Sequence, residues 1–116
     1  MSDDFDSELR KLAADLRKAA RGATDKARVV VRKTALDGVK IAKNLAPVDK
    51  GDLKSSIGAT FSRGDLEAEY GPTVEYGPYV ELGTSRMRPQ PYLGPSAEQI
   101  EGPFAAAMEQ LGGSIL

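Results

Sequence analysis

Ser55 and Ser56 stand beside Lys54, Glu67, Glu69, Glu75 and Glu81 follow, and Asp49 and Asp52 flank Gly51. A Ser/Lys pair can form an activated nucleophile, paired carboxylates can do acid–base work, and aspartates around a glycine can hold calcium. Each pattern is incomplete here. The serines and Lys54 lack the spacing of a nucleophile and its base. Glu67 and Glu69 alternate with apolar residues, as on the solvent face of a strand. The aspartates are too few for a calcium loop. The glycines match neither the phosphate-binding loop nor the dinucleotide fingerprint. The chain has no His and no Cys, which removes the commonest general base, thiolate metal sites and disulfides. No enzyme, cofactor or metal is expected.

With 116 residues, a single domain over 1–116 is expected. Trp is absent and aromatics make up 6%, so the core must be mostly Ala, Leu, Val and Ile. No apolar run reaches the roughly 20 residues of a membrane span. The acidic start, Ser2-Asp3-Asp4-Phe5-Asp6, resembles neither a secretory nor a transit signal.

The fold class expected is α+β: two N-terminal helices and a C-terminal helix packed on a small antiparallel sheet, with a long Gly/Pro/Tyr loop. Phe5, Leu9, Leu12 and Leu16 recur at helical spacing, with Ala13, Ala19 and Ala20 beside them. Asp3 or Asp4 can cap this helix, and Gly22 predicts its stop or bend. A second helix is expected over 24–45. Ala27, Val30, Val31, Thr34, Gly38, Ile41, Ala42 and Leu45 share one arc, and Lys26, Arg28, Arg32, Lys33, Lys40 and Lys43 share another. Val29, Leu36 and Val39 interrupt the basic arc. They are incidental or they are contact points for another subunit; the length of the helix and its separate apolar face favour contact. Pro47 ends the helix, and Leu53 with Ile57 allows a helical turn. Alternation over 57–70 around Ser62-Arg63-Gly64-Asp65 predicts a hairpin. Such a hairpin must pack on the helices or pair elsewhere. Pro78 and Gly83 bound a helical turn, and 84–91 reads as a loop. The last helix is expected over 95–111 with Ala97, Ile100, Phe104, Met108 and Leu111 as its stripe. Gly102-Pro103 should kink or divide it. The tail 112–116 is expected to be loose.

Residues 1–54 carry a net +4 and residues 55–116 a net −5. Opposed halves can pair head-to-tail between copies or neutralise one another within one fold. The basic arc could meet nucleic acid, with Arg28, Arg32, Lys33, Lys40 and Lys43 as the DNA-facing or channel-facing candidates. A small cytoplasmic nucleic-acid-binding protein using 17–43 is the alternative reading. The overall charge of −1 and the lack of interleaved aromatics favour a solvated or protein-facing helix.

The segment Tyr76–Leu93 holds three Pro, two Gly and three Tyr. Gly and Pro at this density specify a backbone path. Tyr76, Tyr79 and Tyr92 are amphipathic anchors, and Arg86 and Arg88 are interface donors. With Glu81, Met87, Val29, Leu36 and Val39, they make up the expected subunit or partner interface.

Ala46-Pro47-Val48-Asp49-Lys50-Gly51-Asp52-Leu53-Lys54-Ser55-Ser56-Ile57 resembles the signature APVDTGxLRxSI. Val74–Ser85, then Met87 and Gln90–Pro95, resembles a second, YAxYVExGTSxMxAQPFLRPA. Both belong to the phage virion family named for gene product ten of the lambdoid phage HK-ninety-seven, a family of small neck proteins of long-tailed phages. Lys50 replaces the usual Thr, Gly94 stands where Arg is common, and Gly102-Pro103 interrupts the final helix. The resemblance implies an α+β, non-catalytic, ring-forming subunit (usually sixfold) acting in tail completion, tail termination or head–tail connection. The partners it implies are other copies in a ring, adjacent neck and tail-tube proteins, and DNA passing through a channel without sequence-specific binding, with no membrane. The implied location is the head–tail junction of a virion assembled in the bacterial cytoplasm.

Overall fold

The computed structural model describes Ser2–Ile115, with side chains described over 6–113. The elements are helix α1 (Ser2–Leu45), helix α2 (Gly51–Ser56), strands β1 (Gly58–Ser62) and β2 (Glu67–Gly71), helix α3 (Gly77–Leu82) and helix α4 (Leu93–Ile115). The α+β class expected from sequence holds, but the helix count differs. The side chains of Asp3, Asp4 and Phe5, and residue Leu116, lie outside the described set.

One helix of 44 residues replaces the two expected ones. Gly22 does not stop it, because an exposed interior Gly costs only about 1 kcal/mol relative to Ala. Its neighbours Ala19, Ala20, Arg21, Ala23, Lys26 and Ala27 are mostly strong helix formers. Arg28 with Asp25 and Lys33 with Asp37, each at 2.7 Å, add i,i+3 and i,i+4 support. Likewise Pro103 lies inside α4 without dividing it, and the helix continues to Ile115 where a loose tail was expected. Gln99, whose carbonyl loses its helical partner at Pro103, is exposed, so water can satisfy that group.

β1 and β2 form a two-stranded antiparallel sheet, with Gly58 opposite Gly71 and Ser62 opposite Glu67. Ala59, Phe61, Ala68 and Tyr70 face inward and are half-buried, while Glu67 and Glu69 face solvent. The turn takes positive φ at Arg63, Gly64 and Asp65. Its tip rests against α1, where Arg32 lies 3.8 Å from Asp65 and its guanidinium sits 5.0 Å over the Phe61 ring.

The core is small: Ala42 and Ala46 from α1, Leu53 and Ile57, Val80 from α3, and Tyr92. Val39, Tyr70, Val74, Met87 and Leu93 pack against it. Tyr70 crosses α1 at Gly38, where an added Cβ would come within 2.7 Å of the ring. Its hydroxyl meets Ser96 Oγ at 2.9 Å, and Ser96 Oγ donates to the Leu93 carbonyl at 2.7 Å. Ser96 is wholly buried, and the described α4 face against α1 runs through Ser96, Ile100, Phe104, Ala107 and Leu111. Ala97 and Met108, expected on that stripe, are exposed, as is Leu45 on α1.

The molecule measures 79 × 22 × 21 Å, with a radius of gyration of 21.0 Å; a compact chain of this length has about 13 Å. α4 runs antiparallel to α1, with Ile100 near Ile41 and Leu111 near Lys26. From 6 to 22, only Ala13 is even half-buried. The first turns of α1 therefore project beyond the body.

Gly38→Ala should destabilise the body by about 1–3 kcal/mol, because the Tyr70 ring has no room to retreat between α1 and Ser96. Gly22→Ala, in open space, should leave the body unchanged or stabilise α1 slightly. Chemical denaturation of both variants checks the pair.

Candidate interaction surface

Glu81 fixes the path of the Gly/Pro/Tyr segment. One carboxylate oxygen accepts the backbone N–H groups of Tyr92 (2.9 Å) and Leu93 (2.7 Å), and the other accepts that of Gly94 (3.2 Å). These donors open α4, so Glu81 caps that helix from α3 and meets the positive end of its dipole. Tyr92 is fully buried, and its hydroxyl donates to the Gly77 carbonyl at 3.0 Å. The chain turns at Gly83, which has φ +77° and lies under Pro89, where a Cβ would come within 2.8 Å. Gln90 N then donates to the Val80 carbonyl at 2.8 Å, and Thr84 pairs with Met87.

This geometry divides the residues singled out in the sequence. Tyr92, Glu81, Met87 and Val39 serve the fold: Tyr92 is buried, and Glu81, Met87 and Val39 are half-buried. Tyr92 fills the core, Glu81 caps α4, and Met87 and Val39 pack against the core. Tyr76, Tyr79, Arg86 and Arg88 remain exposed, as do Val29 and Leu36 on α1. Arg28 and Lys33 are paired along α1 and Arg32 reaches across to Asp65; Lys40 is exposed and Lys43 half-buried.

The two signature segments meet in space. Asp49, Lys50, Gly51 and Asp52 from the first, with Tyr76, Tyr79, Val80 and Met87 from the second, line an open cleft of about 490 Å³. Leu82 and Val48 are also exposed, at 76% and 93%. No group of three or more His, Cys, Asp or Glu among the described residues could hold a metal. The cleft presents two tyrosines, two aspartates and one lysine.

The largest feature that sequence reading assigned wrongly is the stripe Leu9, Leu12 and Leu16. The helix that carries it was expected to pack on the sheet, yet these residues are 48, 54 and 56% exposed. Their spacing of three and four is also that of a helix that packs on another helix. The pattern was present, but it does not say whether its partner lies in the same chain.

A family model described as "Bacteriophage HK97-gp10, putative tail-component" matches residues 5–83. No curated protein and no solved structure matches the chain.

Glu81→Ala should lower stability by about 2–3 kcal/mol and Glu81→Gln by about half that, since the amide retains one acceptor oxygen without the charge. Denaturant titration separates the two. Burial, reinforced by the Glu81 carboxylate, raises the Tyr92 phenol above its ordinary 10.0. The folded state thus holds this proton where the unfolded chain releases it. The resulting stability is complete below pH 10 and is lost as pH rises towards the folded value. Tyr92→Phe should cost about 1–3 kcal/mol at neutral pH, leaving the Gly77 carbonyl without its donor. It should also flatten the alkaline loss of stability, as read by thermal melts from pH 8 to 11.

Proposed function

The chain belongs to this family of bacteriophage tail components, with a structural role in the virion, and we infer that it is a ring-forming neck subunit, completing or terminating the tail or connecting it to the head. The ring, six copies by resemblance to its family, leaves a channel through which DNA passes without sequence-specific contacts. The subunit works by assembly and not by catalysis. Its partners are other copies and the adjacent neck and tail-tube proteins. No helix among the described residues is long and apolar enough to cross a membrane.

The observation that carries this reading is unburied surface. The accessible area is 8492 Å², whereas a compact monomer of this mass exposes about 6,100 Å². An excess of that size exceeds the roughly 800 Å² per partner of a standard protein interface. The exposed residues include features that favour protein contact: leucines on a projecting helix, and tyrosines and arginines on the Gly/Pro/Tyr segment. The DNA-binding alternative is weakened by the acidic neighbours of Arg28, Arg32 and Lys33, which reduce the field available to phosphates.

A double variant, Tyr79→Ala with Arg86→Ala, should fold normally, because both side chains lie outside the core. In a phage carrying it, heads and tails should accumulate unattached and infectious yield should fall by at least about tenfold, roughly 1.4 kcal/mol or more of lost attachment. Normal yield of joined particles by electron microscopy would remove the segment from the attachment surface.

A further inference from the structure

Two apolar stripes lie uncovered on α1. One is Leu9, Leu12 and Leu16 on the projecting arm; the other is Val29 and Leu36 beside the body, at 66 and 47% exposure. Both stripes sit on a single unbroken helix, so the arm cannot fold back onto the second stripe of its own chain. A helix kinked at Gly22 could have closed that contact internally, but the continuous rod makes it available only between copies.

We propose that the arm of one copy docks on the Val29/Leu36 face of the next, in the ring inferred above. Leu9 and Leu16 are seven residues apart, as are Val29 and Leu36, and each pair spans about 10.5 Å of helix. Two side chains of one helix therefore meet two of the other in register. Between the receiving pair lies an open hollow of about 370 Å³, lined by Val29, Arg32, Lys33, Leu36 and Asp37, into which an arm leucine can insert. Asp37 is neutralised there by Lys33 at 2.7 Å.

Charge selects this pairing over others. Helical spacing puts Glu8 and Asp15 along one edge of the arm stripe, while Lys26 and Lys40 flank Val29 and Leu36, where Asp25 is paired with Arg28 and Asp37 with Lys33. Two arms packed together gain nothing comparable. In parallel, the acidic edge meets Asp6, Ala13 and Ala20; antiparallel, it meets another acidic edge. Joining the arm of one copy to the body of another is heterologous, so it propagates and closes only as a ring or runs on as a filament. Each copy then uses two distinct patches, which the excess surface can supply.

The chain lacks Cys, so single cysteines report the contact directly. Leu16→Cys and Leu36→Cys proteins, checked for native helicity and kept reduced, are oxidised each alone and as an equal mixture. The expected result is a disulfide-linked pair in the mixture, at least tenfold above either protein alone. Linkage of Leu16→Cys protein with itself would show arm–arm pairing and overturn the proposal. No linkage in material that light scattering shows to be oligomeric would overturn this contact while leaving the ring standing. Monomers at every concentration, alone and with adjacent virion proteins, would overturn both. Independently, Asp15→Lys should raise the concentration needed for association roughly tenfold, and Lys40→Glu in the same chain should restore it. Failure of the second change to restore association would contradict the charge pairing.

Discussion

The continuity of α1 is the constraint on which the rest depends. A rod of 44 residues spans about 66 Å, and the remaining elements cover only part of it. α4, the hairpin and the α2–α3 region gather at its C-terminal half, where Gly38, Ala42 and Ala46 admit close neighbours. The N-terminal half keeps its leucines in water. Hydrophobic burial is the main favourable term in folding and association, at about 25 cal/mol per Å². A stripe left uncovered by its own fold is stabilised when a neighbour covers it, which is the basis of the assembly proposed above.

At the other end of the rod, the body is made rigid by a small number of polar contacts. The Glu81 carboxylate gathers three successive N–H groups at the start of α4, and the buried Tyr92 hydroxyl ties that start to α3. These contacts fix the path of the second signature segment, Leu53, Ile57, Val80 and Tyr92 pack it against the first in the core, and Tyr76, Tyr79, Arg86 and Arg88 are left exposed. Such preorganisation suits a docking surface, because side chains and loops already ordered lose little entropy on binding. In the proposed reading, the same segment serves the fold with one set of residues and partner contact with another.

Local sequence patterns recovered the individual elements well. The hairpin, its turn, the short helix between Pro78 and Gly83 and the solvent-facing Glu67 and Glu69 all follow from alternation and turn chemistry. Errors arose where a local signal was weaker than its context. Gly22 reads as a stop or bend and Gly102-Pro103 as a kink or division, but neither ends its helix, because the flanking residues favour the helix by more than each disfavours it. Ser96 as a buried hydroxyl and Glu81 as a distant cap had no local signature, because their partners lie far along the chain or across the fold. Tyr92 was read as an anchor for a partner, since a tyrosine that fills a core and one that meets a neighbour look alike in sequence. Leu9, Leu12 and Leu16 are legible as one stripe, but the packing of their helix on the sheet, expected from sequence, does not reach them. Pattern reports that a face must be buried, and only the fold reports that the chain itself does not bury it.

Amide hydrogen exchange across a dilution series tests the central claim most directly, with residues 6–21 compared against the body around Ala42, Leu53 and Tyr92. Protection of the arm should rise with protein concentration while that of the body stays constant, as expected if a neighbour covers a stripe that the monomer leaves open. Arm protection that is independent of concentration, whether low throughout or already high in dilute monomer, would contradict the account.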